Sequence, residues 1–490
     1  MATLLSNDAY YCALASRDAR FDGQFFVAVK STGIYCRPIC RVRLPAKKNC
    51  SFFESVVQAE SAGYRPCLRC RPELATRWCT ENIGQSLAAH AIQLLDAGFT
   101  DTNVIEQVSN KLGVTDRHLR RLLRQHLGVS PVQYIQTRRL LLAKQLLSDT
   151  DLLVGDIAEV AGFGSVRRFN ALLKSSYGLT PTGLRNSRTK LKLVNRFSTD
   201  DVILCQLNVI TPYDFDSLLA FHSRRAVAGL ECVIDGVYSR SIQLQCTHSK
   251  QSVVGWYRVH AIGESQLQLE VSKSLSRELA KVIAIVKAQF DLDANPHHWL
   301  ASLGELAQVN PGLRVPGGVG GFELGVRAIL GQQITVAAAT TLVTRVVEKY
   351  GGFGIGGGPE RTFPLAKSLA QCDPFELGEL GIIQSRIKAI QSLAQAVWEG
   401  SINLNPGADV VETQSRLLKL PGVGAWTTSY LMMRALRWPD AFIGTDLGIV
   451  KAAKAKGIDD IQHHAESWKP WRSYAAMHLW QSLEMETEAV

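Results

Sequence analysis

The spacing of apolar residues changes twice along the 490-residue chain, and each change predicts a different kind of structure. Between residues 104 and 188, apolar positions recur at i, i+3 and i+4, as they do in amphipathic helices. From about 203 to 268, short runs rich in Val, Ile, Leu and Tyr predict a mixed α/β region with strands at 253–260 and 266–271. The helical spacing then returns and predicts helices at 278–290, 322–330, 335–350, 364–370, 383–398, 410–419 and 426–436.

An internal repeat with an offset of 50 residues divides the first helical region. Each copy has a first helix (104–112 or 154–161), a glycine, and a Thr or Ser that would cap a second helix. The shared positions are Thr115, Arg117, Leu119, Leu122, Leu123, Gly128 and Pro131 in one copy and Ser165, Arg167, Phe169, Leu172, Leu173, Gly178 and Pro181 in the other. This arrangement predicts two helix-turn-helix units, whose second helices would enter the DNA major groove.

Basic residues are concentrated in the same part of the chain. Residues 1–190 contain 26 Lys and Arg against 15 Asp and Glu, a net charge of +11, whereas the remainder has a net charge of −1. This asymmetry predicts a polyanionic partner for the N-terminal two-fifths. The alternative interpretation is a helical bundle whose arginines are only solvated and have no polyanionic partner. The candidate DNA-binding residues on the second helices are Arg117, Arg120, Arg121, Arg167 and Arg168.

Four cysteines near the N-terminus have the spacing of a metal site. Cys36 and Cys40 form C-x3-C, Cys67 and Cys70 form C-x2-C, and 26 residues separate the pairs. This pattern is typical of one tetrahedral zinc ion bound by four thiolates, and most closed sites of this kind are purely structural. Disulfides are less favoured, because the chain has an odd number of cysteines, 11, and no evident signal peptide, which together predict a reducing cytosol.

The residues around these cysteines resemble the N-terminal domain of Ada-type DNA-alkylation response proteins. The resemblance covers 25–72 and includes Ser-Thr-Gly-Ile-Tyr-Cys-Arg-Pro at 31–38 and Gly-Tyr-Arg-Pro-Cys-Leu-Arg-Cys-Arg-Pro at 63–72. It implies that Cys36 accepts a methyl group from a methylated DNA phosphate, which would change the formal charge of a zinc tetrathiolate from −2 to −1 and so favour DNA binding. It also implies contacts to the DNA backbone from Thr32, Arg41, Arg43 and Arg65. The repeat at 84–188 resembles AraC-type tandem helix-turn-helix domains.

A second motif lies among the C-terminal helices. Leu-Pro-Gly-Val-Gly at 420–424 separates two predicted helices, and Asp446 follows Gly424 by 22 residues. Gly422 and Gly424 could present backbone N–H groups to a DNA phosphate, although such a turn is more often a plain helix–helix loop. Together with Asp446, the motif resembles the helix-hairpin-helix DNA glycosylases, and from 203 to 485 the chain is most similar to 3-methyladenine DNA glycosylase II.

This resemblance implies specific roles for several residues. Asp446 would stabilise positive charge on the sugar, and Gln333 stands where a leucine often wedges into the DNA. No lysine lies in the hairpin segment 420–436, so a monofunctional enzyme without lyase activity is expected. The glycine-rich segment 352–358 lacks the context of a phosphate-binding loop. The implied walls of the base pocket, each of which could instead be ordinary core packing, are Phe221, Trp426, Tyr430 and Trp480.

The sequence therefore predicts a multi-domain fold, mainly α with α+β parts. The expected domains are a four-cysteine zinc domain at 1–78, a tandem helix-turn-helix domain at 84–188, a mixed α/β domain at 200–310 and an all-α helix-hairpin-helix domain at 311–485. The predicted function is excision of alkylated purines from DNA, with a zinc-dependent methyl acceptor that switches DNA binding. The alternative is an alkylation-responsive transcription regulator with a catalytically weak glycosylase half.

The expected partners and location follow from this prediction. The main partner is double-stranded DNA, both alkylated DNA and a promoter site, and RNA polymerase is a further candidate partner. No apolar run approaches the roughly 20 residues that a membrane span needs. We expect a monomer in the cytoplasm of a bacterial-type cell, associated with the nucleoid.

Overall fold

The computed structural model describes residues 7–18, 21–75, 87–186, 202–246 and 251–488. Residues 189–200, whose polar and basic composition predicts a linker, lie outside the described residues. Within them, no helix has both the length and the apolarity that crossing a bilayer requires. The predicted fold class is confirmed: helices dominate, and the strands form one four-stranded and one five-stranded sheet.

The first module, residues 7–75, is built around the smaller sheet. Its strands pair in the order β3-β1-β2-β4, and all pairs are antiparallel except β2 with β4. With two to four residues each, these strands are too short to give a period-two signal. The elements are α1 (Asn7–Ser16), β1 (Phe26–Val29), β2 (Ile34–Cys36), β3 (Cys50–Phe53), α2 (Val56–Ser61) and β4 (Arg65–Pro66).

The second module, residues 87–186, confirms the internal repeat. Thr115 and Ser165 accept hydrogen bonds from the backbone N–H groups of His118 (3.2 Å) and Arg168 (3.1 Å) and so cap the two second helices. The 19-residue helix α6 joins the two copies. The helices are α3 (Leu87–Gly98), α4 (Val104–Lys111), α5 (Asp116–Leu127), α6 (Pro131–Asp149), α7 (Val154–Val160), α8 (Val166–Tyr177) and α9 (Pro181–Asn186).

The third module contains the larger sheet, which is antiparallel throughout with the order β5-β9-β8-β7-β6. Its buried face shares a hydrophobic core with α6–α9 of the second module. The elements are β5 (Val202–Asn208), α10 (Phe215–Ser223), β6 (Glu231–Ile234), β7 (Val237–Gln245), β8 (Ser252–Gly263), β9 (Gln266–Ser272), α11 (Leu279–Gln289), α12 (His297–Leu303) and α13 (Glu305–Gln308).

The fourth module is helical and contains the largest hydrophobic core of the protein. The seven helices predicted between 278 and 436 all form, and their ends agree with the prediction to within two residues. The helices are α14 (Gly321–Leu330), α15 (Val336–Tyr350), α16 (Ala366–Gln371), α17 (Pro374–Glu379), α18 (Gln384–Trp398), α19 (Val410–Leu417), α20 (Ala425–Arg434), α21 (Leu447–Ala455), α22 (Ile461–His464) and α23 (Arg472–Glu488).

The glycine-rich loop at 352–358 packs against the central strand of the larger sheet, β8. The Trp256 indole donates to the carbonyl of Gly356 (3.1 Å), and the Arg258 guanidinium lies 4.3 Å from the centroid of the Trp256 ring. Arg258 also donates to the carbonyl of Gly357. The loop therefore joins the third and fourth modules.

Buried polar contacts connect the first module to the second. The Glu60 carboxylate on α2 accepts hydrogen bonds from Tyr35 (3.0 Å), Thr137 (2.9 Å) and Tyr177 (3.1 Å). Burial raises the pKa of Glu60 to about 7, although these three hydrogen bonds and Lys144 oppose the shift. One carboxylate thus links the strand that carries Cys36 to both halves of the helix-turn-helix module.

A second set of buried charges lies at the same interface. Arg71 pairs with Asp149 (2.6 Å) and with Glu73 (3.1 Å), and Glu73 also pairs with Lys144. Asp149 accepts a further hydrogen bond from the backbone N–H of Gln206 on β5 (3.3 Å). The first three modules therefore meet around one ion-pair network.

Candidate active site and metal centre

The four cysteines converge because of the parallel pairing of β2 with β4. Ile34 lies opposite Arg65 and Tyr35 opposite Pro66, so the next residues, Cys36 and Cys67, leave the sheet side by side. The backbone N–H of Cys67 donates to the carbonyl of Tyr35 (3.0 Å) and holds this register. Each pair then supplies its second cysteine, Cys40 or Cys70, from the turn that follows.

The geometry of this cluster fits zinc. The Sγ atoms of Cys36, Cys40, Cys67 and Cys70 all lie within 4.8 Å of one another. Tetrahedral zinc with Zn–S bonds of about 2.3 Å holds its sulfur ligands about 3.8 Å apart, so the cluster is compact enough for one zinc ion. The backbone N–H of Arg37 donates to Cys70 Sγ (3.4 Å), a contact that stabilises a thiolate.

The arginines around the cluster fall into two groups. Arg37 is buried and pairs with Asp22, and Arg71 is buried in the network with Glu73, so neither contributes to a cationic surface. Of the implied DNA-contacting residues, Arg41, Arg43 and Thr32 are exposed and Arg65 is half-buried.

A cavity of about 1340 Å³ lies between the third and fourth modules. Asp446 and all four aromatic residues expected to form the base pocket line it, together with Gln333 and Gly424. These residues come from α10, α20, α21, α23 and the loop before α15, which explains why no local pattern shows the cavity. The structure therefore brings the predicted pocket residues together.

Asp446 is held by three hydrogen bonds. It is the N-cap of α21, and Oδ1 accepts from the backbone N–H of Ile449 (3.0 Å) and from Trp480 Nε1 (2.9 Å). Oδ2 accepts from Trp426 Nε1 (2.9 Å). A carboxylate has about four lone-pair positions, so one, on Oδ2, is left for a ligand.

The aromatic rings differ in what they can offer a ligand. Trp426 and Tyr430 are stacked, with centroids 5.2 Å apart and planes at 13°. Phe221 is buried, and its ring is already contacted by the guanidinium groups of Arg225 (3.8 Å to the centroid) and Arg434 (4.7 Å). Stacking of a base would therefore rely mainly on the two indoles and Tyr430.

A network of buried charges borders the cavity. Glu231 on β6 pairs with Arg240 (2.6 Å) and Arg327 (2.6 Å), and Glu323 on α14 pairs with the same two arginines. Burial alone would raise the pKa of Glu231, but the two arginines outweigh burial and lower it to about 2. Burial lowers the pKa of the neighbouring His222 to about 3, so this imidazole is neutral at physiological pH.

The hairpin at 420–424 connects α19 to α20, and its two glycines have different requirements. Gly422 has φ of +74°, and a Cβ there would lie 2.9 Å from the Cβ of Ala389. Gly424 has φ of −90° and ψ of −177°, and a Cβ there would meet no atom within 4 Å. Of the two, only Gly422 therefore needs the conformational freedom of glycine.

The loop that carries Gln333 is fixed to this hairpin. Gln332 donates to the carbonyl of Gly422 (3.0 Å) and to the Thr427 hydroxyl (3.0 Å), and Arg386 donates to the carbonyl of Gln332. Gln333 is exposed at the cavity and has φ of +56°, an unusual conformation for a residue with a side chain. The predicted wedge and hairpin therefore lie beside each other.

The basic side chains of the two second helices are accessible. Arg117, Arg120 and Arg121 on α5 and Arg167 and Arg168 on α8 are all exposed, while Leu119 and Phe169 at the repeated apolar position are fully buried. The helices thus present a basic face outward.

Two residues of the cavity, Gln332 and Arg434, were not predicted from the sequence. The i, i+4 spacing of Tyr430 and Arg434 on one helix could have indicated that these two side chains are in contact.

Comparison with known proteins covers all four modules. Residues 9–73 match the family model described as the metal binding domain of Ada, and 108–187 match a helix-turn-helix domain. Residues 204–320 match the AlkA N-terminal domain. Residues 326–472 match the HhH-GPD superfamily base excision DNA repair protein.

Three relatives extend these matches. The chain is 37% identical over 280 residues, 56% of its length, to 95% of "DNA-3-methyladenine glycosylase 2" of Escherichia coli K12. Over 37% of its length it is 35% identical to 86% of "Bifunctional transcriptional activator/DNA repair enzyme AdaA" of Bacillus subtilis. It is also 34% identical over 486 residues, 97% of its length and 96% of the relative, to "Probable bifunctional transcriptional activator/DNA repair enzyme AlkA" of Mycobacterium tuberculosis. Because that similarity spans all four modules, the chain belongs to the family of bifunctional transcriptional activator/DNA repair enzymes of the AlkA type.

Proposed function

We propose that this protein repairs alkylated DNA by two chemistries in one chain. The third and fourth modules act as a monofunctional DNA glycosylase that flips out and removes alkylated purines of the 3-methyladenine and 7-methylguanine type. The first module accepts a methyl group from a DNA methylphosphotriester at Cys36. This transfer activates sequence-specific DNA binding by the helix-turn-helix module.

The position of Asp446 is the observation that carries the glycosylase assignment. Its carboxylate lies in a cavity large enough for a nucleotide, and Trp426, Trp480 and a backbone N–H fix its orientation. A purine alkylated at N3 or N7 is cationic and leaves readily, so the main catalytic need is a negative charge near the sugar as positive charge develops there. The Asp446 carboxylate supplies this negative charge, or its unused lone pair on Oδ2 orients the attacking water.

The absence of an amine in the site supports a monofunctional reaction. Among the described residues that line the cavity there is no lysine, and the helix position that would carry one after the hairpin is Trp426. Trp426 instead donates to Asp446. A Schiff base with the sugar therefore has no candidate nucleophile, and the product is an abasic site in an intact strand.

DNA would be held by groups around the cavity mouth. The exposed backbone at Gly422 and Gly424 suits a DNA phosphate, and Gln333 lies where it can fill the gap left by a flipped nucleotide. A polar side chain stacks less well than leucine in such a gap. Gln333 would compensate through hydrogen bonds to the bases that line the gap.

The methyl transfer is a simple substitution. The Cys36 thiolate attacks the methyl carbon and forms a C–S bond. The bond between the methyl carbon and the phosphate oxygen breaks, and the phosphodiester leaves as an anion. Bound zinc keeps the four cysteines ionised, which supplies the nucleophilic form of sulfur. The loss of one negative charge from the cluster then reduces its repulsion of the DNA backbone, to which Thr32, Arg41, Arg43 and Arg65 would bind.

The helix-turn-helix module would connect repair to transcription. Its exposed arginines suit phosphate and base contacts in the major groove, and we propose a promoter site, with RNA polymerase as the partner that responds. We further propose that the protein acts as a monomer at the nucleoid in the cytoplasm. A regulator with a catalytically weak glycosylase half is the second candidate, because Gln333 departs from the usual leucine wedge.

One experiment separates the two candidates. Duplex DNA treated with a methylating agent is incubated with wild-type protein and with Asp446→Asn, and the released bases are separated by chromatography. Release of 3-methyladenine and 7-methylguanine by the wild type alone supports the glycosylase. Binding of both proteins to the DNA without base release would favour the regulator.

A further inference from the structure

Tyr430 and Arg434 lie one turn apart on α20, and both line the cavity. Arg434 donates from Nη1 to the Tyr430 hydroxyl. The other guanidinium nitrogens are fixed, because Nε donates to the carbonyl of Pro316 (2.7 Å) and Nη2 to the carbonyl of Gly317 (3.0 Å). Only 5% of Arg434 is exposed, so its guanidinium group has little room to turn towards another partner.

This contact determines how the tyrosine hydroxyl can be used. A guanidinium has only donors, so the hydroxyl oxygen is the acceptor in this pair and the hydroxyl hydrogen is unused. Within the part of the chain that the structure describes, Tyr430 Oη has no second hydrogen-bond partner. The hydrogen is therefore available to a group that enters the cavity.

The position of this hydrogen is fixed relative to Asp446. Tyr430 stacks on Trp426 with ring planes at 13°, and the Trp426 indole is bound to Asp446 Oδ2 at 2.9 Å. A purine whose edge faces this hydroxyl, rather than one stacked flat on the Tyr430 ring, would therefore meet one donor at a constant place. Because Arg434 is cationic, it also polarises the hydroxyl and makes it a stronger donor.

We propose that Arg434 is a positioning residue, which holds the Tyr430 hydroxyl as a hydrogen-bond donor to an acceptor nitrogen or oxygen on the edge of the flipped purine. The proposal rests on the proposed glycosylase function and adds a specificity determinant to the same site. Stacking alone would accept any electron-poor ring. The fixed donor favours purines that have an acceptor at that edge and rejects those that do not.

The test compares wild type, Tyr430→Phe, Arg434→Lys and the double variant. Single-turnover excision is measured on a duplex with one 7-methylguanine, and affinity is measured on a duplex with an abasic-site analogue, which has no base to contact Tyr430. We expect each single variant to excise about tenfold more slowly, as for the loss of one hydrogen bond. The double variant should also be about tenfold slower, because both changes remove the same interaction. Binding to the abasic duplex should not change.

Tyr350→Phe is the matched control. It removes a hydroxyl that is bonded to Glu376 (2.8 Å) in the same module but outside the cavity, and we expect excision at the wild-type rate. Excision by Tyr430→Phe at the wild-type rate would overturn the proposal and leave the glycosylase assignment intact. Weaker binding of Arg434→Lys to the abasic duplex, or multiplied effects in the double variant, would also overturn it, because Arg434 would then act structurally. No base release by the wild type would instead contradict the proposed function.

Discussion

The Tyr35 hydroxyl donates a hydrogen bond to the buried carboxylate of Glu60, 3.0 Å away, and the next residue after Tyr35 is the zinc-site residue Cys36. The same carboxylate binds Thr137 and Tyr177 of the helix-turn-helix module. The proposed methyl acceptor is thus one residue away from a contact that joins two modules. The protonation state of Glu60 should consequently affect how firmly they are joined.

Stability should depend on pH through Glu60. The pKa of this residue is about 7 in the folded protein and close to 4.5 when unfolded, so the folded state binds more protons between these values. The free energy of unfolding should therefore fall as pH rises from about 4.5 to 7, by up to about 3 kcal/mol from this group. Glu60→Gln, which cannot ionise, should lose this dependence.

The measurement is the unfolding midpoint of zinc-loaded wild type and Glu60→Gln at pH 5 and pH 8. The variant should gain stability relative to wild type at the higher pH. Glu348→Gln, which removes one exposed carboxylate elsewhere, controls for the change in net charge. A difference between wild type and Glu60→Gln that is the same at both pH values would show that the buried carboxyl is not coupled to folding.

Variants around Asp446 should form a graded series. Asp446→Asn removes the negative charge and should slow excision by roughly 100-fold or more, with little effect on DNA affinity. Trp480→Phe removes only one donor to Oδ1 and should slow excision less, by about tenfold. Single-turnover rates and equilibrium binding to an abasic duplex measure both effects. If Trp480→Phe were slower than Asp446→Asn, the indole would have a role other than orienting the carboxylate.

The reaction should leave the DNA strand intact. Because no lysine among the described residues lines the cavity, we expect abasic sites that break only after treatment with alkali or heat. Gel electrophoresis before and after alkali gives the result, with a lyase-active glycosylase as the positive control. An enzyme–DNA adduct trapped by borohydride would contradict this expectation.

Cys36 should be the methylated cysteine after incubation with DNA that contains methylphosphotriesters. Peptide mass spectrometry locates the methyl group, and a zinc assay shows whether the metal is retained. DNA binding should become tighter after transfer, since the cluster has lost one negative charge. Cys40→Ala should instead lose zinc and, with it, the local fold. Methylation of another cysteine, or of none while zinc is bound, would mean that the cluster is structural.

The two hairpin glycines should respond differently to substitution. Gly422→Ala should destabilise the protein by about 1 kcal/mol or more, because φ is +74° and Ala389 is close. Gly424→Ala should leave stability unchanged, since its Cβ would meet open space. It should weaken DNA binding, because the added methyl group would stand where the backbone is proposed to contact a DNA phosphate. Thermal unfolding and DNA affinity, measured on both variants, separate the effects. Equal affinity of Gly424→Ala and wild type would argue against a phosphate contact at this position.

Periodicity predicted the helices well because most have one buried face, as the repeated apolar positions of α5 and α8 show. The cysteine cluster was predictable from spacing alone. The pocket was not, because Phe221, Trp426 and Trp480 come from separate elements, and only a family resemblance connected them. The helix α6 was missed as an element of its own, since it is buried on several sides and has no single apolar stripe.

Buried charges are the main feature that sequence patterns could not show. Lys144 is fully buried, and Asp149 and Arg71 are less than 10% exposed, although polar residues are normally assigned to the surface. The pairs Arg71–Asp149 and Lys144–Glu73 span 78 and 71 positions and cross the boundary between two modules, so no local signal marks them. Arg37 is likewise buried, and its partner Asp22 lies outside the cysteine motif, so the motif does not show that this arginine is paired.

The ion-pair network at Arg71, Glu73, Lys144 and Asp149 also limits how this architecture can be recombined. A chimaera that joined this helix-turn-helix module to a zinc module without Arg71 and Glu73 would bury two charges without their partners, at a cost of about 3–5 kcal/mol. Exchange between relatives would have to transfer residues on both sides of the boundary together. A module boundary drawn from the sequence alone would therefore separate residues that have to be inherited together.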